Sequence, residues 1–355
     1  MAGKCSELAA IIEQNIRSRG LHPGDRYLTA REAAEMLGVS PMTANRAMHE
    51  LADRDVLVLK HGAGTFVGTK APRYDGNRIE CVNFVLHRPF FACAQSFLEH
   101  LMNGVHHRFP HNAIQYSFLP SVEPLNYCRL LEEAWKSGLS PSGVILFVGL
   151  IEVQRFFQQR RVPAVVCGSV CPEAGGLPWV DRDQRTVGRI LTEYVVGQGH
   201  QRVMVLMREI WDYGDNLFMD GIQEALRCAQ ISQGAASIRS LPCESGVVAD
   251  ALQVTLSAPD APTALICRSS VLADLAARAA EAVGLRVPND VLIVMADYFA
   301  ARGKRPRFPY ARAAADARTQ GEIIGRMLKE LAAGKTPEPD HFLIPVELDI
   351  PADGL

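Results

Sequence analysis

Polar side chains between residues 40 and 49 have the types and the spacing that contact with nucleic acid requires. Their hydroxyl, amide, imidazole and guanidinium groups can donate to phosphate oxygens or contact base edges. Together with one methionine, these residues are Ser40, Met42, Thr43, Asn45, Arg46 and His49. The same pattern also fits a helix face that does no more than contact water, so this alternative stays open.

Aromatic and charged residues farther along the chain follow apolar runs that are typical of strands. Ligands of open parallel sheets bind beyond the carboxyl ends of the strands. Aromatic rings stack on the face of a sugar, and carboxylates accept hydrogen bonds from hydroxyl groups. The predicted ligand-binding residues are Arg88, Phe90, Phe91, Asp181, Trp211, Tyr213, Ser269, Asp297 and Tyr298. Alternatively, Trp211 and Tyr213 cover a hinge, and Asp297 caps a turn.

Neither metal binding nor catalysis is predicted. His106, His107 and His111 are neighbours in sequence, but their spacing does not gather three imidazoles on one helix face. Cys167 and Cys171 lack a second pair of ligands. The sequence has no phosphate loop, no Gly-x-Ser-x-Gly turn and no His-Glu-x-x-His pattern. We therefore expect no cofactor, no metal and no enzymatic activity.

Length and composition indicate an ordinary globular protein of several folding units. The chain has 355 residues, 48% hydrophobic residues and a formal net charge of -2, so bulk charge does not indicate a nucleic-acid partner. Nine scattered cysteines are typical of a reducing compartment. The first thirty residues lack the apolar core of a signal peptide, and no stretch approaches 18 apolar residues. These features predict a cytoplasmic protein.

The first 68 residues have the pattern of three helices and a hairpin. Apolar residues recur at helical spacing over residues 8–16. Thr29 and Glu32 form a predicted capping box for a helix that ends at Gly38. Ser40 and Pro41 then begin a third helix. Two apolar runs around a glycine turn at residues 56–67 predict a hairpin. This order predicts a helix-turn-helix with a β wing, an arrangement that places one helix in the DNA major groove.

Residues 69–78 lack periodicity and predict a linker, after which strands and helices alternate over residues 79–350. Such alternation implies parallel sheets covered on both faces, and its length favours two lobes with a cleft. We predict lobe 1 at about residues 79–198 and 308–333, and lobe 2 at about 199–305 and 334–350. The expected strands are residues 81–86, 113–119, 143–148, 164–168, 202–207, 237–241, 264–267 and 291–295.

Four motifs of the N-terminal region resemble the GntR-family winged helix-turn-helix. They are Leu21–Arg26, Ala30–Ser40, Thr43–Ala47 and His61–Val67. The resemblance implies that Arg31 and the start of the third helix contact DNA. It also implies that the tip of the wing, which holds two glycines, enters the minor groove. The wing residues expected to contact DNA are His61, Gly62, Gly64 and Thr65. Pro41 stands where the family carries an arginine, so that contact is lost or is passed to Arg46.

The remaining chain resembles the effector domain of LacI/GalR-type regulators, which is similar to periplasmic sugar-binding proteins of type I. The resemblance lies in Val180-Asp181, Gly199–Leu206, Gly221–Leu226, Pro262–Cys267 and Gly284–Asp297. Two departures stand out. Phe218, which we count among the cleft residues, replaces an arginine of the family, and Ser269-Ser270 replaces an Asn/Asp pair. A sugar is therefore one candidate ligand among others.

These observations favour a multidomain transcription regulator: an α+β winged head that binds double-stranded DNA, joined to a two-lobed α/β domain that senses a small molecule. A homodimer through the N-terminal lobe is expected, because one recognition helix reads few base pairs. Three alternatives remain. They are a regulator whose cleft has lost its ligand, a transport binding protein and an enzyme. A transport protein would need export and would have no use for residues 1–67.

Overall fold

A computed structural model describes most of the chain. The described residues are 2–19, 21, 23–60, 62–70, 79, 81–87, 95–120, 122–136, 142–147, 149–159, 162–209, 211–231, 236–241, 245–297 and 306–351. Most of the predicted linker, residues 71–78, lies outside them. None of the helices in these ranges is long and apolar enough to cross a membrane.

The N-terminal head begins with three helices, α1 (Ala2–Ser18), α2 (Ala30–Leu37) and α3 (Pro41–Asp53). The predicted capping box is present, since Thr29 and Glu32 each accept the other's backbone N–H. α2 ends at Gly38, whose φ of 64° is left-handed. The Ser40 side chain accepts from the backbone N–H of Thr43 and so begins α3. Buried aliphatic side chains of α1 and α3 then pack together into one core.

The head ends in an antiparallel hairpin of β1 (Leu57–Lys60) and β2 (Gly64–Val67). The turn between them holds Gly62 and Gly64 at φ values of 73° and 109°, which a side chain would strain. Arg26 pairs with Phe66 and lies against Gly64, so the segment before α2 supports the wing. The predicted order of helices and wing is confirmed.

Lobe 1 contains a six-stranded parallel sheet in the order β13-β7-β6-β5-β3-β4. Its strands are β3 (Cys81–His87), β4 (Ala113–Leu119), β5 (Ser142–Phe147), β6 (Ala164–Cys167), β7 (Trp179–Arg182) and β13 (His341–Ile344). Its helices are α4 (Gln95–Arg108), α5 (Pro124–Lys136), α6 (Ile151–Gln159) and α11 (Ala317–Ala332), with a short 3-10 turn at Pro172–Ala174. Buried aliphatic and aromatic residues line both faces of this sheet.

Lobe 2 contains a second six-stranded sheet in the order β14-β12-β11-β10-β8-β9, parallel except where β12 meets β14. Its strands are β8 (Val203–Arg208), β9 (Ala236–Leu241), β10 (Ala264–Cys267), β11 (Leu292–Met295), β12 (Tyr310–Ala313) and β14 (Val346–Asp349). Its helices are α7 (Gln184–Gly197), α8 (Tyr213–Cys228), α9 (Ser245–Leu256) and α10 (Ser270–Ala282). The predicted two-lobed fold with parallel sheets is confirmed.

The chain crosses between the sheets after β7, after β12 and between β13 and β14. These crossings correct the predicted lobe boundaries. α7 belongs to lobe 2 because the crossing follows Arg182 directly and α7 packs on α8. Residues 341–344 belong to lobe 1 because β13 pairs with β7, whereas the sequence predicts them in lobe 2. Residues 310–313 belong to lobe 2 because β12 pairs with β11 and β14, whereas the sequence predicts them in lobe 1.

Each lobe also contains one pair of helices in backbone contact. In lobe 1, a Cβ at Gly104 of α4 would lie 2.0 Å from the Arg318 carbonyl oxygen on α11. In lobe 2, a Cβ at Gly188 of α7 would lie 2.0 Å from the Phe218 carbonyl oxygen on α8. Because glycine has no side chain, both helix pairs can approach to backbone contact. The two lobes therefore pack one helix pair each in the same way.

Candidate functional site

A cavity of about 480 Å³ lies where the carboxyl ends of the two sheets face each other. Lobe 1 contributes mainly apolar or small residues to it, namely Ser96, Phe97, His100, Phe147, Gly149 and Val166. Lobe 2 contributes mainly charged and amide groups, namely Gln184, Arg208, Asp212, Arg268 and Asp297. Asp181, Arg182 and residues 310–317 line it near the crossings. A cavity of this size and polarity suits a small molecule.

Arg268 is the centre of an ion network in lobe 2. It follows β10 directly, and its side chain is only 4% exposed. Its Nε donates to Asp215, and its terminal nitrogens donate to Asp297 at 2.9 Å and to the Gln184 amide oxygen at 3.3 Å. The guanidinium carbon also lies 5.2 Å from the centre of the Phe218 ring. Arg268 is thereby fixed in one orientation.

Arg208, the last residue of β8, extends the network toward the cavity. One of its nitrogens donates to both Asp215 carboxylate oxygens at 2.9 Å, and it lies 3.6 Å from Asp212. Asp215 is fully buried, so its charge depends on the two arginines. Among the described residues, the buried Arg208 Nε has no hydrogen-bond partner.

Arg182 and Asp181 extend the network to the end of β7 in lobe 1. Arg182 donates to Asp297 and, at 2.9 Å, to the Ala296 carbonyl oxygen of lobe 2. The Asp181 carboxylate accepts from the Ser169 hydroxyl at 2.5 Å, the Gln184 amide at 2.9 Å and the Arg182 backbone at 2.7 Å. The network therefore joins both lobes beside one crossing.

The environments of the carboxyl groups drive their pKa values apart. Burial by itself raises the pKa of Asp297, but the guanidinium groups of Arg268 and Arg182 outweigh burial and lower this pKa to about 2. Burial raises the pKa of Asp181 above its ordinary value despite the Ser169 hydrogen bond. Burial and the neighbouring Asp215 raise the pKa of Asp212. Asp297 is therefore ionised at neutral pH, whereas the pKa values of Asp181 and Asp212 lie above the ordinary value of an aspartate.

The structure brings only some of the predicted ligand-binding residues together. Asp181 and Asp297 line the cavity. Trp211, Tyr213 and Ser269 do not line it: the Trp211 indole donates to Ser240, Tyr213 begins α8, and the Ser269 side chain caps α10. The predicted residues Arg88, Phe90, Phe91 and Tyr298 lie outside the described residues.

Phe218 requires a correction. It is fully buried in the core of lobe 2, beneath the Arg268 guanidinium, and does not line the cavity. The hydrophobic ring supports the arginine from below, so its contribution to the cleft is indirect.

Sequence reasoning missed the arginines Arg182, Arg208 and Arg268 and the polar groups of Gln184, Asp212 and Asp215. Each arginine ends a strand or directly follows one. The rule that selected Asp181 and Asp297, that ligand groups follow the carboxyl ends of parallel strands, would also have selected the arginines. Gln184, Asp212 and Asp215 stand at the beginnings of α7 and α8, a position that the rule does not cover.

The head presents the predicted polar groups of α3 on its surface. Met42 is 69% exposed, and Asn45, Arg46 and His49 are exposed as well. The hydroxyls of Ser40 and Thr43 lie 2.8 Å apart and are hydrogen-bonded to each other. Arg31 on α2 is exposed and lies 4.0 Å from Glu35. The N-terminal ends of α2 and α3 thus present donors that can reach a phosphate backbone.

One of the wing residues predicted to contact DNA faces inward. Gly62 is exposed, whereas Thr65 is only 6% exposed, because its side chain faces the core of the head. The Thr65 side chain is therefore not presented for DNA contact. The Lys60 ammonium lies 5.0 Å from the centre of the Phe66 ring, which places a cation on the hairpin. His61 lies outside the described residues. Contact between the other wing residues and DNA stays a prediction.

Comparison with known families agrees with this division. Residues 4–67 match the family model of bacterial regulatory proteins, gntR family, and residues 192–350 match that of the periplasmic binding protein-like domain. The N-terminal region is thus similar to the gntR-family model, and the C-terminal region is similar to the periplasmic binding protein-like model. The resemblances inferred from the sequence motifs are confirmed.

Curated relatives match parts of the chain. Over 137 residues, the chain is 29% identical to the HTH-type transcriptional repressor CytR of Escherichia coli K12, covering 39% of this chain and 40% of that protein. A 56-residue match is 43% identical to the histidine utilization repressor of Klebsiella aerogenes, covering 16% of this chain and 23% of that repressor. The chain thus spans less than half the length of either relative.

Solved structures share the two-lobed fold. A transcriptional regulator CelR-cellobiose complex superposes with a TM-score of 0.64 at 19% identity, covering 91% of this chain and 99% of that chain. The transcription regulator CcpA of Lactococcus lactis gives a TM-score of 0.63 at 16% identity, covering 77% and 98%. At such identities the likeness concerns the fold.

Proposed function

We propose that this protein is a sequence-specific transcription regulator whose operator affinity is controlled by a small molecule in the cleft between its lobes. One observation carries the proposal: the same chain has a gntR-like head and a charged cavity between two lobes. The head presents exposed hydrogen-bond donors on α2 and α3. The repressor names of both relatives support it. Such a regulator acts in the cytoplasm, and its function requires no catalytic step.

Ligand and operator are coupled when closure of the lobes changes the positions of two heads in a dimer. Sugars are the first class to test, because carboxylates and arginines in the cleft can bind hydroxyl groups and because the CelR structure is a cellobiose complex. A ligand that binds only the folded state raises the melting temperature. A thermal-shift screen against pentoses, hexoses, sugar acids and sugar phosphates therefore tests the cleft.

The DNA surface is tested with Arg31→Ala and Arg46→Ala. We expect each variant to weaken binding to the protein's own promoter region by about 5- to 100-fold, as one lost phosphate or guanine contact would. Arg227→Ala is the matched control, since this exposed arginine lies on α8, far along the chain from the head. Unchanged affinity in both head variants, measured by fluorescence anisotropy, would exclude this surface.

A second copy of this chain is the proposed partner on the β4 edge of lobe 1. Tyr116 and Phe118 on this edge strand, and Leu130 on the neighbouring α5, are exposed large hydrophobic side chains. An isologous dimer would cover them and would present two heads to a two-fold operator. We expect Phe118→Glu to shift the sedimentation coefficient to that of a monomer. If Phe118→Glu is still a dimer at low micromolar concentration, the interface does not lie on the β4 edge.

A regulator with a ligand-free cleft is the second candidate. Its support is Arg268, whose donors are already satisfied by Asp215, Asp297 and Gln184 without any ligand. If this candidate is correct, we expect that no sugar in the screen shifts the melting temperature. We also expect that the protein still binds its promoter and that Arg46→Ala still weakens this binding.

A further inference from the structure

The two lobes touch across the cleft at Gly149. This residue follows β5 of lobe 1, and a Cβ at its position would lie 2.0 Å from Asp212 Cβ and 3.0 Å from Asp212 Cα in lobe 2. A second contact is close by, since a Cβ at Gly214 would lie 3.3 Å from the Ser169 hydroxyl of lobe 1. Two loops of lobe 1 therefore meet the first turn of α8.

This contact lies on the side of the cavity away from the crossings. The crossings follow β7 and β12 and separate β13 from β14, which stand at one end of each sheet. β5 and β8, which lead to the contact, stand toward the other end. Rotation of the lobes about the crossings therefore changes the distance between Gly149 and Asp212 more than distances near Arg182.

Close approach, and not backbone conformation, is what requires glycine at position 149. The φ angle of Gly149 lies outside the left-handed region, so alanine can adopt the same backbone. In the part of the chain that the structure describes, the three atoms nearest to the added carbon all belong to Asp212, on the opposite lobe. Alanine at this position conflicts with contact between the lobes, whereas each lobe by itself can still fold.

Asp212 cannot easily move aside. Its backbone N–H donates to the Asp215 carboxylate at 3.0 Å, and its own carboxylate accepts from the Asp215 backbone N–H at 3.1 Å. Asp215 in turn is held by Arg208 and Arg268. The ion network thus fixes the beginning of α8 as a rigid surface for lobe 1 to meet.

We propose that Gly149 sets how far the cleft closes, and that a side chain at this position holds the lobes apart. Gly149 is a positioning residue in this sense: it permits the contact between the lobes that encloses the cavity. The effect on shape follows from the geometry alone, whereas the effect on DNA binding rests on the proposed function.

The test compares Gly149→Ala and Gly149→Val with two controls in the full chain. Gly197→Ala adds a carbon with no atom within 4 Å, and Gly188→Ala adds one inside lobe 2, against α8. We expect both Gly149 variants to keep the melting temperature of the parent protein. We expect their radius of gyration in solution scattering to increase, more for valine than for alanine, and amide exchange at residues 168–169 and 212–214 to become faster.

Two results would overturn the inference. One is an unchanged radius of gyration and unchanged amide exchange in Gly149→Val. The other is a loss of melting temperature as large as that of Gly188→Ala, which would make position 149 part of the folded core of one lobe. Promoter affinity is measured on the same samples. A larger radius with unchanged promoter affinity keeps the inference and contradicts the coupling in the proposed function.

Discussion

The two walls of the cleft are built differently on similar scaffolds. Each lobe has a six-stranded sheet and one helix pair in backbone contact, through Gly104 in lobe 1 and Gly188 in lobe 2. Yet most of the network of arginines and carboxylates belongs to lobe 2, while lobe 1 adds Asp181 and Arg182 at the end of β7 and otherwise presents mainly aromatic, small and apolar residues to the cavity. This difference predicts that lobe 2 provides most of the groups that orient a polar ligand, and that lobe 1 mainly covers it.

The largest expected effect comes from Arg268→Ala on the lobe 2 wall. The substitution leaves Asp215 and Asp297 buried without their central cation, and broken buried ion pairs typically cost about 3–5 kcal/mol. His100→Ala, an exposed change on the lobe 1 wall, is expected to stay within about 0.5 kcal/mol. Urea unfolding measures both variants. Equal losses would mean that the walls do not differ in rigidity.

The helix pairs test the similarity between the lobes. Gly104→Ala and Gly188→Ala each place a carbon 2.0 Å from a carbonyl oxygen of the partner helix, and overpacking of this kind costs about 1–3 kcal/mol. Gly197→Ala, with nothing nearby, should not destabilise the protein. Thermal unfolding of the three variants measures the effect. A loss in one lobe alone would show that the two scaffolds are not equivalent.

Acid unfolding tests the charge on the lobe 2 wall. The pKa of Asp297 is lowered from 3.8 to about 2, so its ionised form stabilises the folded state above about pH 4, by roughly 2 kcal/mol. This contribution is lost as pH falls from about 4 toward 2. Asp297→Asn should therefore have a lower free energy of unfolding than the parent protein at pH 7. Its free energy of unfolding should also decrease less than that of the parent protein between pH 4 and pH 2.

Asp181→Asn is the matched variant, because the pKa of Asp181 is raised in the folded state. Because this pKa is raised, ionisation of Asp181 above its ordinary pKa destabilises the folded state. Substitution of Asp181 should therefore not reduce the loss of stability that the protein shows as pH falls from about 4 toward 2. Equal losses of stability over this pH range in the parent protein and Asp297→Asn would contradict the assignment.

The smallest expected effect concerns the edge of the network in lobe 1. Ser169→Ala removes one of the donors to the Asp181 carboxylate, and the backbone of Arg182 and the amide of Gln184 remain. We expect a loss of about 1 kcal/mol in urea unfolding. Ser237→Ala on the exposed face of β9 is the control and should change nothing. A loss of about 3 kcal/mol would make lobe 1 as dependent on the network as lobe 2.

Periodicity and capping chemistry predicted much of the fold. β4 and β10 have the expected bounds, because each is a regular apolar pattern between clear breaks. No individual strand or helix is predicted after residue 305. α11 was predictable from its Asp316 cap and the helical spacing of its buried face. The short strands β12, β13 and β14 were not, since they depend on where the chain crosses between sheets.

The site was less predictable than the fold. The ends of strands indicated Asp181 and Asp297, which do line the cavity, because topology alone brings such positions to the cleft. Their contact with a ligand stays a prediction. The network itself joins Arg268 to Asp215 and Gln184, residues 53 and 84 positions away in the chain. Such pairings depend on the tertiary structure. For the same reason, the inward side chains of Phe218 and Thr65 could not be told from outward ones.

The most direct test of the regulator proposal is the dissociation constant for promoter DNA with and without each sugar that raises the melting temperature. We predict that at least one sugar raises the melting temperature and changes this dissociation constant by at least about fivefold, the lower end of the usual coupling between two sites. This prediction would be contradicted by a sugar that stabilises the protein and leaves DNA affinity unchanged.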